Sequence, residues 1–220
     1  DALGGFENVI SNNLVYNTTG DGSQYGIYNT SSDNIFYYHN TISLDGPGTG
    51  SSASSVTRGF YQTTTAAGIE FKNNIITITR GGPGEKTAIH FNTTGSTIIS
   101  DKNNLYLNSG SGTENVGSFG TAAQATLINW QTASGQDAAS ISSNPIYTDM
   151  LAGNYKPTNA SINNLGVPLS IVTIDINGDP RNAATPDMGA YEFEPAPCTA
   201  PPVPGTANVS QTPVCAGSPV

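Results

Sequence analysis

"YGIYNTSSDNIFYYHNTISL", residues 25–44, is followed by "RGFYQTTTAAGIEFKNNIITIT" at 58–79 and "TAIHFNTTGSTIISDKNNLYLN" at 87–108. Each stretch holds a small residue, large apolar residues, a polar turn, and an Asn-containing corner followed by alternating apolar positions. An earlier copy, "ISNNLVYN", starts at Ile10. The corners centre on Asn12-Asn13, His39-Asn40, Asn73-Asn74 and Asn103-Asn104, at steps of 27, 34 and 30 residues. A second register follows the same rhythm through Gly26-Ile27-Tyr28, Gly59-Phe60-Tyr61 and Ala88-Ile89-His90-Phe91.

Periods of this size mark repeat architectures. After each corner the apolar residues alternate, as in Leu14 and Tyr16, Ile42 and Leu44, Ile76 and Ile78, and Leu105 and Leu107. A period of two is the signature of a strand with one face inward. Each repeat therefore holds at least two short strands. Tight hairpins would hold the period fixed. A coil tolerates drift, because each strand stacks in parallel on its counterpart one turn away while extra residues bulge out as loops. Residues 45–55 and 80–86 read as such loops. One turn cannot bury its apolar face alone, so the strands must repeat. The Asn pairs suit tight corners, because Asn tolerates left-handed backbone and can bond from turn to turn. The reading is an all-β chain, a parallel β-helix.

Composition agrees. Only 10% of residues are charged, against about 25% in typical domains, and long helices are not expected from a chain poor in Lys, Ala-Leu-Glu runs and high-propensity stretches. A formal charge of −9 argues against nucleic acid as a partner, since no basic stripe could neutralise phosphates. No apolar run is long enough to insert in a membrane. The chain opens at Asp1 inside a repeat-like pattern and reads as an excised or processed segment. Both cysteines, Cys198 and Cys215, lie beside Pro-rich sequence, which predicts an extracellular disulfide worth roughly 3 kcal/mol in the chain-entropy picture.

The rhythm over residues 6–147 resembles the right-handed parallel β-helix of the pectate-lyase-like superfamily. The closing segment is more specific. Asn144-Pro145-Ile146-Tyr147, Gly153-Asn154-Tyr155-Lys156-Pro157, Asp175 to Arg181, and Asp187 to Glu192 resemble the ending of large secreted bacterial β-helix proteins. "NASINNLG" stands where that ending usually has "SPAIDAG", with Asn163 in place of a common Asp. The resemblance implies coils over 1–147 and a final coil and cap over 148–193. Residues 194–204 read as a stiff Pro-rich linker and extended tail. Residues 205–220 resemble the truncated start of an Ig-like module of Bacteroidetes-type surface proteins. Secretion or cell-surface display, with export by the type IX system, is what the resemblance implies, along with further domains of the same chain as partners.

Site candidates are few. Lys72 and Lys102 precede Asn pairs in adjacent repeats and could form a stacked basic stripe facing an acidic sugar, with Glu70 and Asp101 placed to neutralise them. Tyr37, Tyr38 and Tyr61 are candidate exposed platforms for sugar rings, whereas Tyr28, Phe60 and Phe91 are assigned to packing. Asp175, Asn177 and Asp179 alternate like the first ligands of a calcium loop, but Pro180 intervenes and no bidentate Glu stands at the proper distance. A turn in which Arg181 pairs with Asp187 or Asp179 is preferred, and no other cofactor is implied. His39 and His90 fall in different registers, without a nucleophile motif, and read as surface or strand histidines. No acid pair for glycoside hydrolysis shares a local motif. The expected function is non-catalytic: structural display and binding of a polysaccharide or cell-surface glycan by an adhesin-like protein. The alternative is the C-terminal part of a polysaccharide lyase or glycoside hydrolase.

Overall fold

The structure, a computed structural model, describes residues 2–48 and 55–195. All but the first two residues of the stretch read as a Pro-rich linker, the segment read as the start of an Ig-like module, and Cys198 and Cys215 lie outside the described residues. The chain winds into four coils of three strands. The first comprises β1 (Asn8–Ser11), β2 (Leu14–Val15) and β3 (Gln24–Asn29), and the second β4 (Ile35–Tyr38), β5 (Thr41–Leu44) and β6 (Thr57–Gln62). The third has β7 (Ile69–Lys72), β8 (Ile75–Ile78) and β9 (Lys86–Phe91), and the fourth β10 (Ile98–Asp101), β11 (Asn104–Leu107) and β12 (Glu114–Phe119). Equivalent strands pair in parallel, giving a first sheet β1-β4-β7-β10, a second β2-β5-β8-β11, and a third β3-β6-β9-β12. The expected stack of parallel coils is what the chain forms.

The core lies between the three sheets. Ile42, Leu44, Phe60, Ile69, Phe71, Ile76, Ile78, Ile89 and Leu105 are fully enclosed. Burying each such side chain is worth about 1.5–3 kcal/mol, and only the neighbouring coil supplies the cover.

The corner between the first and second sheets is a ladder of asparagine side chains. The Oδ1 of Asn40 accepts from the backbone N–H of Asn13 at 3.0 Å, Asn74 Oδ1 from Asn40 at 2.9 Å, and Asn103 Oδ1 from Asn74 at 2.9 Å. Ser140 Oγ ends the run by accepting from Asn103 N–H at 2.8 Å. The residue before each ladder position is left-handed: Asn12, His39, Asn73 and Lys102, at φ 53–59°. The fourth repeat is therefore centred one residue earlier than the Asn103-Asn104 pair suggests.

The C-terminal end of the stack is closed by residues 120–143. Strand β13 (Ala122–Gln124) turns back antiparallel on β12. Helix α1 (Leu127–Ser134) comes next, N-capped by Thr126, whose Oγ1 accepts from Asn129 N–H, and ended by left-handed Gly135. Its Trp130 is fully buried over the last coil, and the indole N–H donates to Asp137 Oδ2 at 2.8 Å. Residues 137–141 then trace a partial fifth turn, with Asp137 N–H bonded to Ser100 O and Leu105 N–H to Ile141 O. A Cβ on Gly117 would stand 2.1 Å from Trp130 Cε3. Gly117→Ala is expected to destabilise the protein by about 1–3 kcal/mol through overpacking and to red-shift Trp130 emission. Unchanged emission and urea midpoint would contradict this packing.

The segment expected to form the final coil and cap instead turns back as a strap along the outer face of the second sheet. It contains the hairpin β14 (Tyr147–Asp149) and β15 (Asn154–Pro157) and a short 3₁₀ turn, Ala160–Ile162. Ile162, Met188 and Phe193 pack on the outward side chain of Ile75. Tyr147 OH bonds Thr77 Oγ1 at 2.8 Å, and Tyr155 OH donates to Asp45 Oδ2 at 2.7 Å. Gly189 passes so close that a Cβ would lie 2.7 Å from Thr41 Oγ1, and its N–H donates to Asn73 O at 2.7 Å. The "PDMGAYEF" run is thus a side cover, which seals backbone and apolar surface that would otherwise face water.

Candidate binding site

Most of the third sheet's strands carry two adjacent core-facing residues. Ala88 and Ile89 both lie in the core, as does Phe60, while Cβ atoms built on Gly26 and Gly59 would point into core residues Ile42 and Ile76 at 2.4 Å. On a flat strand successive side chains alternate. Two inward in a row means that the strand dips toward the core, and the outward side chains on either side of the dip lean together. Tyr25 and Tyr28 show this directly: three residues apart, their rings are 5.1 Å centre to centre.

Two outward rows face each other across this dip. One is Tyr25, Arg58, Thr87, Asn115; the other is Tyr28, Tyr61, His90, Ser118. Tyr25 stacks on Tyr61 at 5.5 Å, Tyr28 meets Tyr61 edge-on at 5.3 Å, and His90 meets Tyr61 at 5.0 Å. The Arg58 guanidinium sits over the Tyr61 ring, 4.3 Å from its centre. Tyr28 is 54% exposed, contrary to its assignment to packing, and presents an open ring.

Several nitrogens beside these rings lack hydrogen-bond partners. Arg58 Nε, Asn115 Nδ2 and both His90 ring nitrogens are buried without a hydrogen bond of good geometry. His90 is 6% and Asn115 4% exposed. Among the described residues Arg58 makes no ion pair; the nearby Glu85 accepts instead from Thr87 Oγ1 at 2.9 Å. Leaving a buried donor unmet costs about 1–3 kcal/mol, so these groups are held at a cost in stability. Burial, then the Arg58 charge, lowers the His90 pKa to about 4, against smaller opposing effects of Glu85 and the Gly120 backbone. His90 is neutral at physiological pH and offers one donor and one acceptor.

The other sequence candidates lie elsewhere. Tyr37 is 2% exposed and packs in the core against Phe60 and Phe71. Tyr38 is 4% exposed and its hydroxyl is bonded to Glu70. Neither can serve as an exposed platform; only Tyr61 of the three is in the trough. Lys72 pairs across the first sheet with Asp101 and Tyr38, not with Lys102, which occupies the left-handed corner. The stacked basic stripe does not form, and Lys72 Nζ is ion-paired to Glu70 at 2.7 Å. Asp175 is buried and its two oxygens accept from the backbone N–H groups of Asn177, Asp179 and Glu192 at 2.7–3.0 Å. That carboxylate organises a turn, and no cluster of three metal-ligating His, Cys, Asp or Glu side chains occurs among the described residues. Arg181 pairs with Glu192 at 3.3 Å, rather than with the carboxylate of Asp187 or Asp179, and also donates to Asn12 Oδ1 at 2.7 Å.

His39 is fully buried rather than at the surface. It bridges the strap and the coils, with Nδ1 on Asp187 O and Nε2 facing Asn73 Nδ2, each at 3.0 Å. Burial, then Arg181, lowers its pKa to about 3, while burial raises that of Asp187 to about 6. As pH falls from 6.5 toward 4, the unfolded chain takes up two histidine protons that the native state refuses, and the native state takes up one on Asp187. The net uptake by the unfolded state makes stability fall with pH over this window, by about 1.4 kcal/mol per pH unit for each net proton. His90→Gln is expected to flatten that slope by about one proton. An unchanged slope in urea titrations would contradict the assignment.

No protein-family model, curated protein or solved structure matches this chain. The site therefore rests on its own geometry.

Proposed function

We propose that this chain is a non-catalytic segment of a secreted or surface-displayed bacterial protein, and that the trough on the third sheet binds glycan. One observation carries the reading: an exposed tyrosine ring backed by two more aromatics lies beside Arg58, His90 and Asn115, of which Arg58 Nε, Asn115 Nδ2 and the His90 ring nitrogens make no hydrogen bond of good geometry. A sugar has an apolar ring face that stacks on Tyr28 and hydroxyl oxygens that accept from Arg58, Asn115 and His90. Neighbouring strands are about 4.8 Å apart, so four rows extend about 14 Å along the solenoid axis, which suits an extended oligosaccharide. The right-handed, pectate-lyase-like affiliation, a Bacteroidetes-type source, type IX export and an Ig-like module in the tail belong to the same proposal. They are supported by the closing-segment resemblance and, for the first, by the stack of parallel coils.

The test is a glycan panel probed with the full chain, followed by an assay of the bound glycan for shortened chains and unsaturated uronide. Binding without turnover is expected. Turnover that His90→Gln abolishes would replace this reading with the enzymatic one.

A further inference from the structure

The two ends of the solenoid differ. At the far end the strand edges are used: β13 pairs on β12, and residues 137–141 bond Ser100 O and Leu105 N–H. At the near end β1, β2 and β3 are the outermost strands of their sheets. The N–H groups of Asn8 in β1, and of Asn12 just beyond it, donate to the second coil. Backbone groups alternate along a strand, so those of Val9 and Ser11 face outward, with no coil beyond them among the described residues.

The core stops at the same plane. Ile10, Val15 and Ile27 stand in register with Tyr37, Ile42 and Phe60, which lie one coil in and are at most 2% exposed. Ile10 is 38% exposed, and Val15 and Ile27 are half-buried. Tyr16, next in the chain to Val15, and Ile174, whose carbonyl accepts from Asn12 Nδ2 at 2.8 Å, are exposed beside them. Asn13, the first rung of the ladder, donates to Asn40 Oδ1, while its own Oδ1 accepts from no group among the described residues.

Nothing in these strands opposes pairing. β1, β2 and β3 hold no charged residue and no proline, two of the devices that usually keep an edge from joining another chain. A row of outward backbone groups around an apolar centre is best satisfied by another such row around another such centre. The far end cannot supply it, because its edges are used. The same face of a second copy can.

We propose that the open end is the interface of a head-to-head dimer of this chain. A two-fold axis across the solenoid brings the edges together antiparallel, and Ile10, Val15 and Ile27 of both copies close one apolar layer. The contact is isologous, so assembly ends at two copies rather than growing into a fibre. It does not depend on the glycan reading, because the trough lies on the outer face of the third sheet.

Sedimentation equilibrium of the full chain over a concentration series tests it, under reducing conditions so that no disulfide through Cys198 or Cys215 contributes. A mass twice that of one chain is expected. Val9→Pro removes an outward N–H and sets a ring in its place without touching the bonds to β4. Ile10→Lys puts a charge at the centre of the joined face, while in a single copy its head reaches water through the open end. Each is expected to weaken dimerisation about tenfold or more, with the wild-type circular dichroism kept. Ile128→Lys, at an exposed position on the capping helix, is expected to leave the dimer intact. Should Val9→Pro unfold the chain, Ile10→Lys decides alone. A monomer at every concentration, a mass that keeps rising, a dimer that survives either folded variant, or one that Ile128→Lys dissociates would overturn the proposal.

Discussion

Asn74→Ala is expected to lower stability by about 3–5 kcal/mol, a large share of the about 5–15 kcal/mol that holds a typical domain. The Asn74 amide is the middle rung of the ladder. Its Oδ1 accepts from Asn40 N–H at 2.9 Å and Asn40 Nδ2 at 3.0 Å, and its Nδ2 donates to Tyr37 O at 2.9 Å and Lys72 O at 3.0 Å. All of this is sealed from water; Asn40 and Asn74 are 0% exposed. Alanine leaves the Asn40 amide groups without an acceptor and opens a void, and water has no route in. Asn104→Ala is the control. The Asn104 side chain bonds only Ser143, at the last full coil, and its loss is expected to cost about 1 kcal/mol. Urea unfolding monitored by circular dichroism measures both. Equal costs would mean that the ladder is not what pins the coils.

The second large effect concerns binding. Tyr28→Ala is expected to weaken the glycan found in the panel by about tenfold or more, as loss of a central aromatic contact commonly does. Stability should change by no more than about 0.5 kcal/mol, because the ring is half in solvent and its aromatic contacts are with Tyr25 and Tyr61. Arg58→Gln is expected to weaken binding similarly, since it removes a donor and the cation over Tyr61. Isothermal calorimetry on the wild type and both variants, with melting curves alongside, separates a lost contact from a lost fold. Full affinity in Tyr28→Ala would place the ligand elsewhere.

The coil stack was legible because the chemistry that builds it is local. Alternation after each corner gave the strands, and drifting loop length excluded hairpins. The slip at the fourth corner has a plain cause. Three consecutive polar residues, Lys102, Asn103 and Asn104, all suit a corner, and only the hydrogen-bond ladder selects Asn103 and forces Lys102 into a left-handed conformation. That slip also generated the false stripe of Lys72 and Lys102.

The trough was half legible. Tyr61 was a candidate, but Arg58, three positions away, belongs to the opposite face by a strict period of two. The dip that unites them was written in the recurring small-then-large pairs Gly26-Ile27, Gly59-Phe60 and Ala88-Ile89: a small residue inside, next to a large one inside, means a bent strand. The covering of Tyr38 and the course of the strap were not legible. They depend on contacts between residues far apart in the chain, such as Ala190 with Thr41 and Arg181 with Asn12, which no local pattern encodes.

The most direct measurement is a hydrogen-exchange footprint of the full chain with and without the glycan that the panel identifies. The trough predicts added protection in residues 57–62, 86–91 and 114–119, and none in the first-sheet strands 35–38, 69–72 and 98–101. Protection centred on the first sheet, or spread over neither, would contradict the assignment of the third sheet's outer face as the binding site.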